Sequence, residues 1–289
     1  MNGAFPRSES GRTTAVVGPR GRVAAHVSRA SRKDLRDAVT AARKALPGWS
    51  GAAAYLRGQI LYRAAEMLEG RRSEFEALLA STVPGGAARA RREVNAAVDR
   101  LVAFAGWADK FAQVLGCNNP VAGPYYNFTI PEPTGVVGVL APDEEPLLAL
   151  ISLVAPLLTA GNAVVALGSS AHPLAAAVLG EVFATSDVPP GVVNLLTGDR
   201  SELAPFFAAH RDIDAIHAAG VPEEVGALLR SGAAENLKRV TVRNGPRPGV
   251  VRKGGAAASV DWYDTGECHS PWWIEPFVEM KTVWHPVGA

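Results

Sequence analysis

Asp143, Glu144 and Glu145 stand in a row inside the stretch APDEEPLLALISLVAPLLTAGN (141–162), between a hydrophobic strand pattern and a long apolar helix pattern. The turn after the first strand of an α/β sheet is where ligands usually bind, so a row of carboxylates there needs a reason. A local reason exists. The first turn of a helix exposes unpaired N–H groups and a partial positive charge. Asp143 is expected to cap it, Glu144 and Glu145 to complement the dipole, and Pro146 to sit early in the helix. A helix N-terminus wearing its own carboxylates is a poor site for an anion such as a pyrophosphate. The second candidate is Cys268 in TGECHSP (265–271), with His269 adjacent. A thiolate nucleophile needs a lowered pKa and a base, and neighbours in sequence need not meet in space. Cys117 follows a helix-ending glycine and reads as structural. His172 and His210 are placed at helix ends and His217 in a strand, so the histidines form no cluster and no metal site is expected.

The totals bound what these residues can serve. The 289 residues suffice for two domains or one large one, and 48% are apolar, enough for a real core. A net charge of +1 argues against a nucleic-acid binder, which would carry a basic stripe. Two cysteines with neither metal nor disulfide spacing point to a reducing, cytoplasmic setting. The first 25 residues show no apolar signal-peptide core. The apolar run 147–168 is long enough for a membrane span, but Pro156 and the helix stop AGN (160–162) divide it into two buried elements.

The elements that position these residues fall into two grammars. Residues 1–24 read as irregular or short-stranded; Ser31 opens a helix as an S-x-x-D cap with Asp34, and Pro47-Gly48 closes it. Helices follow at about 52–69 and 71–82, and a long one at 87–115 carries Val94, Val98, Leu101, Ala105, Ala108, Ala112 and Leu115 as one stripe, its charged residues forming a solvated face. YYNFTI (125–130) alternates as a strand. Strand 134–140, helix 144–160, strand 163–167, helix 173–185, strand 192–196, helix 201–209, strand 214–217, helix 222–232 and strand 238–242 then alternate, which predicts a doubly wound parallel sheet. A Gly/Pro-rich linker spans 244–259. The tail holds Trp262, Trp272, Trp273 and Trp284, and FVEMKTVW (277–284) alternates like a strand that must cover either its own core or another chain.

These stretches resemble the NAD(P)-dependent aldehyde dehydrogenases from about Gly21 to Arg247 and again at the tail. The match runs through AVTAARKALPGWS (38–50), RGQILYRAAEMLEGRRSEFEALLA (57–80), EPTGVVGVLAP (132–142), APLLTAGNAVVAL (155–167), PPGVVNLLTGD (189–199), HRDIDAI (210–216) and NLKRVTV (236–242). The departures concern chemistry. Where the family has P-W-N-F-P, with an asparagine that donates to the developing oxyanion, this chain has Glu144, and an ionised carboxylate cannot donate. The ribose-binding Lys and Glu of K-P-S-E are replaced in Leu167-Gly168-Ser169-Ser170, leaving Ser169. The F-T-G-S turn reads Ala218-Ala219-Gly220-Val221, and the next glycine, Gly226, comes one residue late, in what should be a reshaped turn. The general base of E-L-G-G-K is replaced by Arg243, which stays protonated.

The resemblance therefore implies an α/β fold with a helical N-terminal part (1–118), an oligomerisation hairpin (119–134), a five-stranded Rossmann-like sheet (135–247), and a linker with a closing strand (248–289), without the domain that carries the family's catalytic cysteine. Residual cofactor contacts would fall to Ser169, Gly198, Gly220 and Gly226; NAD(P) is implied by the family alone, and the residues argue against it. Oligomerisation would fall to Tyr125, Tyr126, Phe128, Phe277, Val278, Met280 and Trp284. The pattern resembles the degenerate second unit of tandem family-sixteen aldehyde dehydrogenases. The expected function is a non-catalytic accessory or scaffolding subunit of a full-length aldehyde dehydrogenase, or of a self-assembly. The alternatives are an NAD(P)-dependent oxidoreductase using Cys268 and a nucleotide-binding sensor.

Overall fold

The computed structural model describes residues 1–18, 21–245 and 259–287. Strands β1 (Thr13–Val17) and β2 (Val23–Ser28) pair as an antiparallel hairpin. Helices α1 (Arg32–Ser50), α2 (Ala54–Gly70), α3 (Arg72–Thr82), α4 (Gly86–Trp107) and the short α5 (Phe111–Leu115) follow. The predicted capping box on α1 is present: Ser31 accepts from the Lys33 and Asp34 N–H groups, and the Asp34 carboxylate accepts from the Ser31 N–H. Pro47 does not end this helix. It forfeits only its own N–H in the last turn, and the Gly51 N–H still closes onto the Pro47 carbonyl at 3.1 Å. The long fourth helix breaks after Trp107; the chain resumes as α5 and stops at Gly116, whose N–H bonds to the Ala112 carbonyl.

Next come β3 (Cys117–Asn119), β4 (Tyr125–Pro133), β5 (Val136–Leu140), α6 (Leu148–Ala160), β6 (Ala163–Leu167), α7 (Leu174–Ala184), β7 (Val193–Leu196), α8 (Arg200–Ala209), β8 (Ala215–Ala219), α9 (Glu223–Ala233) and β9 (Arg239–Arg243). Five of these strands form the expected parallel sheet, in the order β7-β6-β5-β8-β9. The order reverses beside β5, so the β5/β8 boundary is the topological switch point.

Two cores cover the sheet. On one face Leu35, Val39, Leu203, Phe207 and Leu229 from α1, α8 and α9 pack on Val136, Val165 and Ile216. On the other, α6 lies between the sheet and helices α2 and α4, and every residue of α6 is buried. A helix buried all round must be apolar all round, which accounts for the long hydrophobic run. Gly161, at φ +94°, ends α6 in the left-handed conformation that only glycine adopts freely, and the chain turns into β6. No helix among the described residues is long and apolar enough to cross a membrane.

The tail divides in two. Residues 246–258, most of the expected linker, lie outside the described residues. From residue 259 the chain returns to the core: Val260, Trp262, Cys268, Trp273, Ile274 and Phe277 are all buried with α4, α6 and the sheet, around a short helix α10 (Thr265–Cys268). The strand β10 (Val278–Pro286) then leaves the core and pairs antiparallel with β4, giving a small sheet in the order β10-β4-β3. Phe277 and Val278, expected to face a partner, are instead buried against their own chain. Met280 (46% exposed), Trp284 (57%), Tyr125 and Tyr126 project from it, while Phe128 lies half-buried beside the Tyr126 ring.

Candidate functional site

The C-terminal ends of the parallel strands gather the candidate residues. After β5 the chain runs Ala141 to Leu147 before α6 begins, so the helix starts later than the 144 expected. None of the three carboxylates caps it. The cap is Glu93 of α4, whose Oε1 accepts from the Leu147 N–H at 2.8 Å and the Leu148 N–H at 3.3 Å. Packing of α4 over the helix start brings in a fully buried carboxylate, and the local row is left for other partners.

Asp143 turns sideways. Its Oδ1 accepts from Ser169 Oγ (2.7 Å) and the Ala171 N–H (3.0 Å) and lies 3.3 Å from Arg200 Nη2. Burial opposes its ionisation, but these bonds and the Arg200 charge outweigh burial and hold the carboxyl below the usual range. Glu144 is exposed, with no hydrogen bond or ion pair among the described residues. Glu145 adopts φ +45°, unusual for a residue with a side chain, and is tethered by the Tyr263 hydroxyl (2.7 Å) and by Arg89 (3.2 Å). Arg92 covers the Tyr263 ring at 3.7 Å.

Arg200 spans the switch point itself. Its guanidinium donates to the Ala141 carbonyl at the end of β5 (2.7 Å) and to Gly220 at the end of β8 (3.4 Å). A cation of the chain's own thus lies among strand-end carbonyls and carboxylates where a dinucleotide fold presents N–H groups to phosphates. The glycines and serine expected to line that crevice have structural partners. A Cβ on Gly220 (φ +58°) would meet Pro142 at 2.8 Å, and one on Gly198 would meet the Ala30 nitrogen at 3.3 Å. Gly226 is not in a turn; it lies inside α9, its N–H bonded to the Pro222 carbonyl. Ser169 is buried and its hydroxyl is spent on Asp143.

Arg243 ends β9 and faces inward. Its Nε donates to His217 Nε2 at 2.8 Å, and its guanidinium stacks 3.9 Å over the Trp273 ring. His217 Nδ1 meets the Leu153 carbonyl at 3.1 Å, so the ring carries its proton on Nδ1 and accepts at Nε2. Burial first, then the Arg243 charge, hold this histidine far below its usual pKa, neutral. Arg243, the residue that the resemblance sets at the general-base position, is a permanently charged donor packed on an aromatic ring.

Cys268 is fully buried, and its Sγ sits 3.5 Å from the Asp261 carbonyl rather than on the His269 ring. Burial pushes the thiol up to about 11, with Arg100 pulling the other way. The His269 carbonyl accepts from Trp107 Nε1, and burial lowers the imidazole's pKa. A protonated, enclosed thiol lacks what a nucleophile requires. In native protein Cys117, exposed on β3, is expected to react with a thiol-directed alkylating agent well before Cys268; peptide mass mapping over time reads the order, and equal rates would contradict the buried placement.

The sequence pattern missed Glu93 and Arg100, assigned to a solvated face. Both lie buried on α4, and Arg100 donates to Ser152 Oγ and, at 2.7 Å, to the Trp262 carbonyl. Their signal was present: Glu93, Ala97, Arg100 and Phe104 recur at four, three and four, on the stripe that faces α6. No group of three metal-ligating side chains occurs among the described residues.

Comparison with known proteins places this geometry. The aldehyde dehydrogenase family model matches residues 5–251. The chain is 33% identical over 259 residues to aldehyde dehydrogenase family 2 member B4, mitochondrial, of Arabidopsis thaliana, covering 87% of this chain and 47% of that one. It is 34% identical over 260 residues to retinal dehydrogenase 2 of Mus musculus, covering 87% and 49%. The NAD+ complex of aldehyde dehydrogenase from Bacillus cereus superposes with a TM-score of 0.80 at 28% identity, over 86% of this chain and 51% of that one. The chain spans about half the length of the curated relatives it matches. It belongs to the aldehyde dehydrogenase family.

Proposed function

We infer that this chain is a non-catalytic accessory subunit that docks onto a full-length aldehyde dehydrogenase through its β10-β4-β3 arm. The observation that carries the reading is the edge chemistry of that arm. Thr134 N–H bonds to the Phe277 carbonyl, so by alternation the even residues of β4 and the odd residues of β10 face each other. The odd residues of β4 turn to the opposite edge, where β3 pairs with only Asn127 to Thr129, and Pro131 and Pro133 beyond it have no N–H to offer. That edge is blocked, as natural edge strands are. Among the described residues the outer edge of β10 is unpaired: Met280, Thr282 and Trp284 turn their N–H and C=O groups outward, with exposed Met280 and Trp284 side chains beside them. An added strand from another chain would satisfy those groups.

The crevice supports the same reading from the other direction. Arg200 occupies the switch point, Glu144 replaces an oxyanion donor, Arg243 is stacked and hydrogen-bonded, and Cys268 is sealed. An oxidoreductase working on this chain alone would need each of these undone.

Thr282→Pro tests the docking. It removes an outward N–H while leaving the backbone ladder to β4 intact, because the Thr282 backbone faces outward; the one inward contact it removes is the side-chain bond to Thr129 Oγ1 (3.0 Å). Its affinity for a full-length aldehyde dehydrogenase, measured by biolayer interferometry, is expected to fall by about tenfold or more, from one lost bond and a steric block. Unchanged affinity would exclude the β10 edge as the docking surface.

A further inference from the structure

We propose that the free edge of β7 is a binding site for a small neutral ligand carrying a carboxamide or lactam group on an apolar body. β7 is the outer strand of the parallel sheet. The Val192 and Leu196 carbonyls accept from the Val164 and Gly168 N–H groups of the β6 side, so Val192, Asn194 and Leu196 face inward. Val193 and Leu195 therefore turn both N–H and C=O outward, and neither has a hydrogen-bond partner among the described residues.

These groups open into a cavity of about 340 Å³. That is the low end of the range for small-molecule sites, and an apolar wall with a few backbone donors and acceptors is their usual lining. Phe5, Val27 and, from α7, Ala177 and Gly180 are among its lining, with the Phe5 ring lying over Gly180. The slot is closed at both ends. Ala30 N–H bonds to the Thr197 carbonyl at 2.8 Å, and Asn2 N–H bonds to Asn194 Oδ1 at 2.9 Å. A continuing peptide strand has no way through, so the occupant is short. Neither charged group of the lining calls for a counter-charge: Asp34 already accepts from Ser8 Oγ (2.6 Å), the Ser31 N–H (2.8 Å) and the Glu9 N–H (3.2 Å), and the Met1 nitrogen already donates to the Ala4 carbonyl (2.8 Å). On a strand edge, one residue offers a donor and an acceptor side by side, and a carboxamide or lactam offers the complement.

Benzamide is the probe, titrated into the isotopically labelled full chain with amide NMR as the readout. The Val193 and Leu195 amide resonances are expected to shift and saturate. N,N-dimethylbenzamide, which has no N–H, and benzoate, which is charged and accepts only, are expected to bind about tenfold or more weakly. Gly180→Leu fills the cavity on a helix that tolerates a side chain, since an added Cβ meets only the movable end of the Phe5 ring at 3.1 Å. It is expected to abolish the benzamide shifts while the other resonances stay in place; Ala177→Trp serves the same purpose should Gly180→Leu not fold. The proposal is overturned if the β7 amides do not respond, if dimethylbenzamide binds as well as benzamide, or if the filled cavity binds unchanged.

Discussion

Trp273→Ala is expected to lower the unfolding free energy by about 3–5 kcal/mol, the range for deleting a fully buried aromatic side chain. The indole is 1% exposed and lies edge-on to His217 and to Trp262, with the Arg243 guanidinium over its ring. Removing it opens a cavity between the tail and the sheet. It also strips the stacking surface from a cation whose Nε is committed to a neutral, buried histidine. The loss is measured by denaturant unfolding, with the midpoint falling and the slope unchanged. If residues 259–277 were only a loose connector to the arm, the same change would cost less than about 1 kcal/mol, as surface substitutions do. The contrast decides whether this segment closes the core.

The second large effect depends on pH and resides in Glu93. Burial first, and the neighbouring Glu145 charge second, push its carboxyl up to about 7 from 4.5, against the bonds from Leu147 and Leu148 and the pull of Arg89. The folded chain therefore holds this proton more tightly than the unfolded chain does. Glu93 contributes its full stability below the unfolded value and loses it as pH rises through about 7. Over that interval the loss is on the order of 3 kcal/mol at most, from the size of the shift. Glu93→Gln keeps an oxygen for the helix cap and cannot ionise, so it is expected to overtake the wild-type chain in stability as the solution becomes alkaline. Unfolding curves that stay parallel for the two proteins across neutral pH would show that Glu93 does not titrate with folding.

Much of this fold is legible in one dimension. Strands and helices alternating over 134–242 leave few topologies, and the five-stranded parallel sheet follows from them with boundaries displaced by a few residues. The S-x-x-D cap at Ser31 is local, and it forms as read. What could not be read depends on partners distant in the chain. The helix after β5 has carboxylates at hand, yet takes its cap from Glu93, fifty-four positions before Leu147; local rules name the available caps but not which one packing delivers. Asp143 reaches Ser169 and Arg200 instead, because the turn swings away from the helix axis. Arg200 carried no motif, and its role at the switch point is visible only where β5 and β8 come together. After the Gly/Pro-rich linker, the stretch before FVEMKTVW shows no periodicity that names an element, although the tryptophans of the tail marked it as a segment that must cover its own core or another chain. Trp262 and Trp273 found that core at home, whereas Trp284, on the same tail, remains outside.

We propose that this chain keeps a docking arm and has given up the family's chemistry. Native mass spectrometry of the tagged chain, purified gently from its own host, tests it most directly. A complex with a full-length aldehyde dehydrogenase, lost in the Thr282→Pro variant, is the predicted result. A wild-type chain that appears only alone or with copies of itself, under conditions where the full-length enzyme is present in the same extract, would rule out the accessory role.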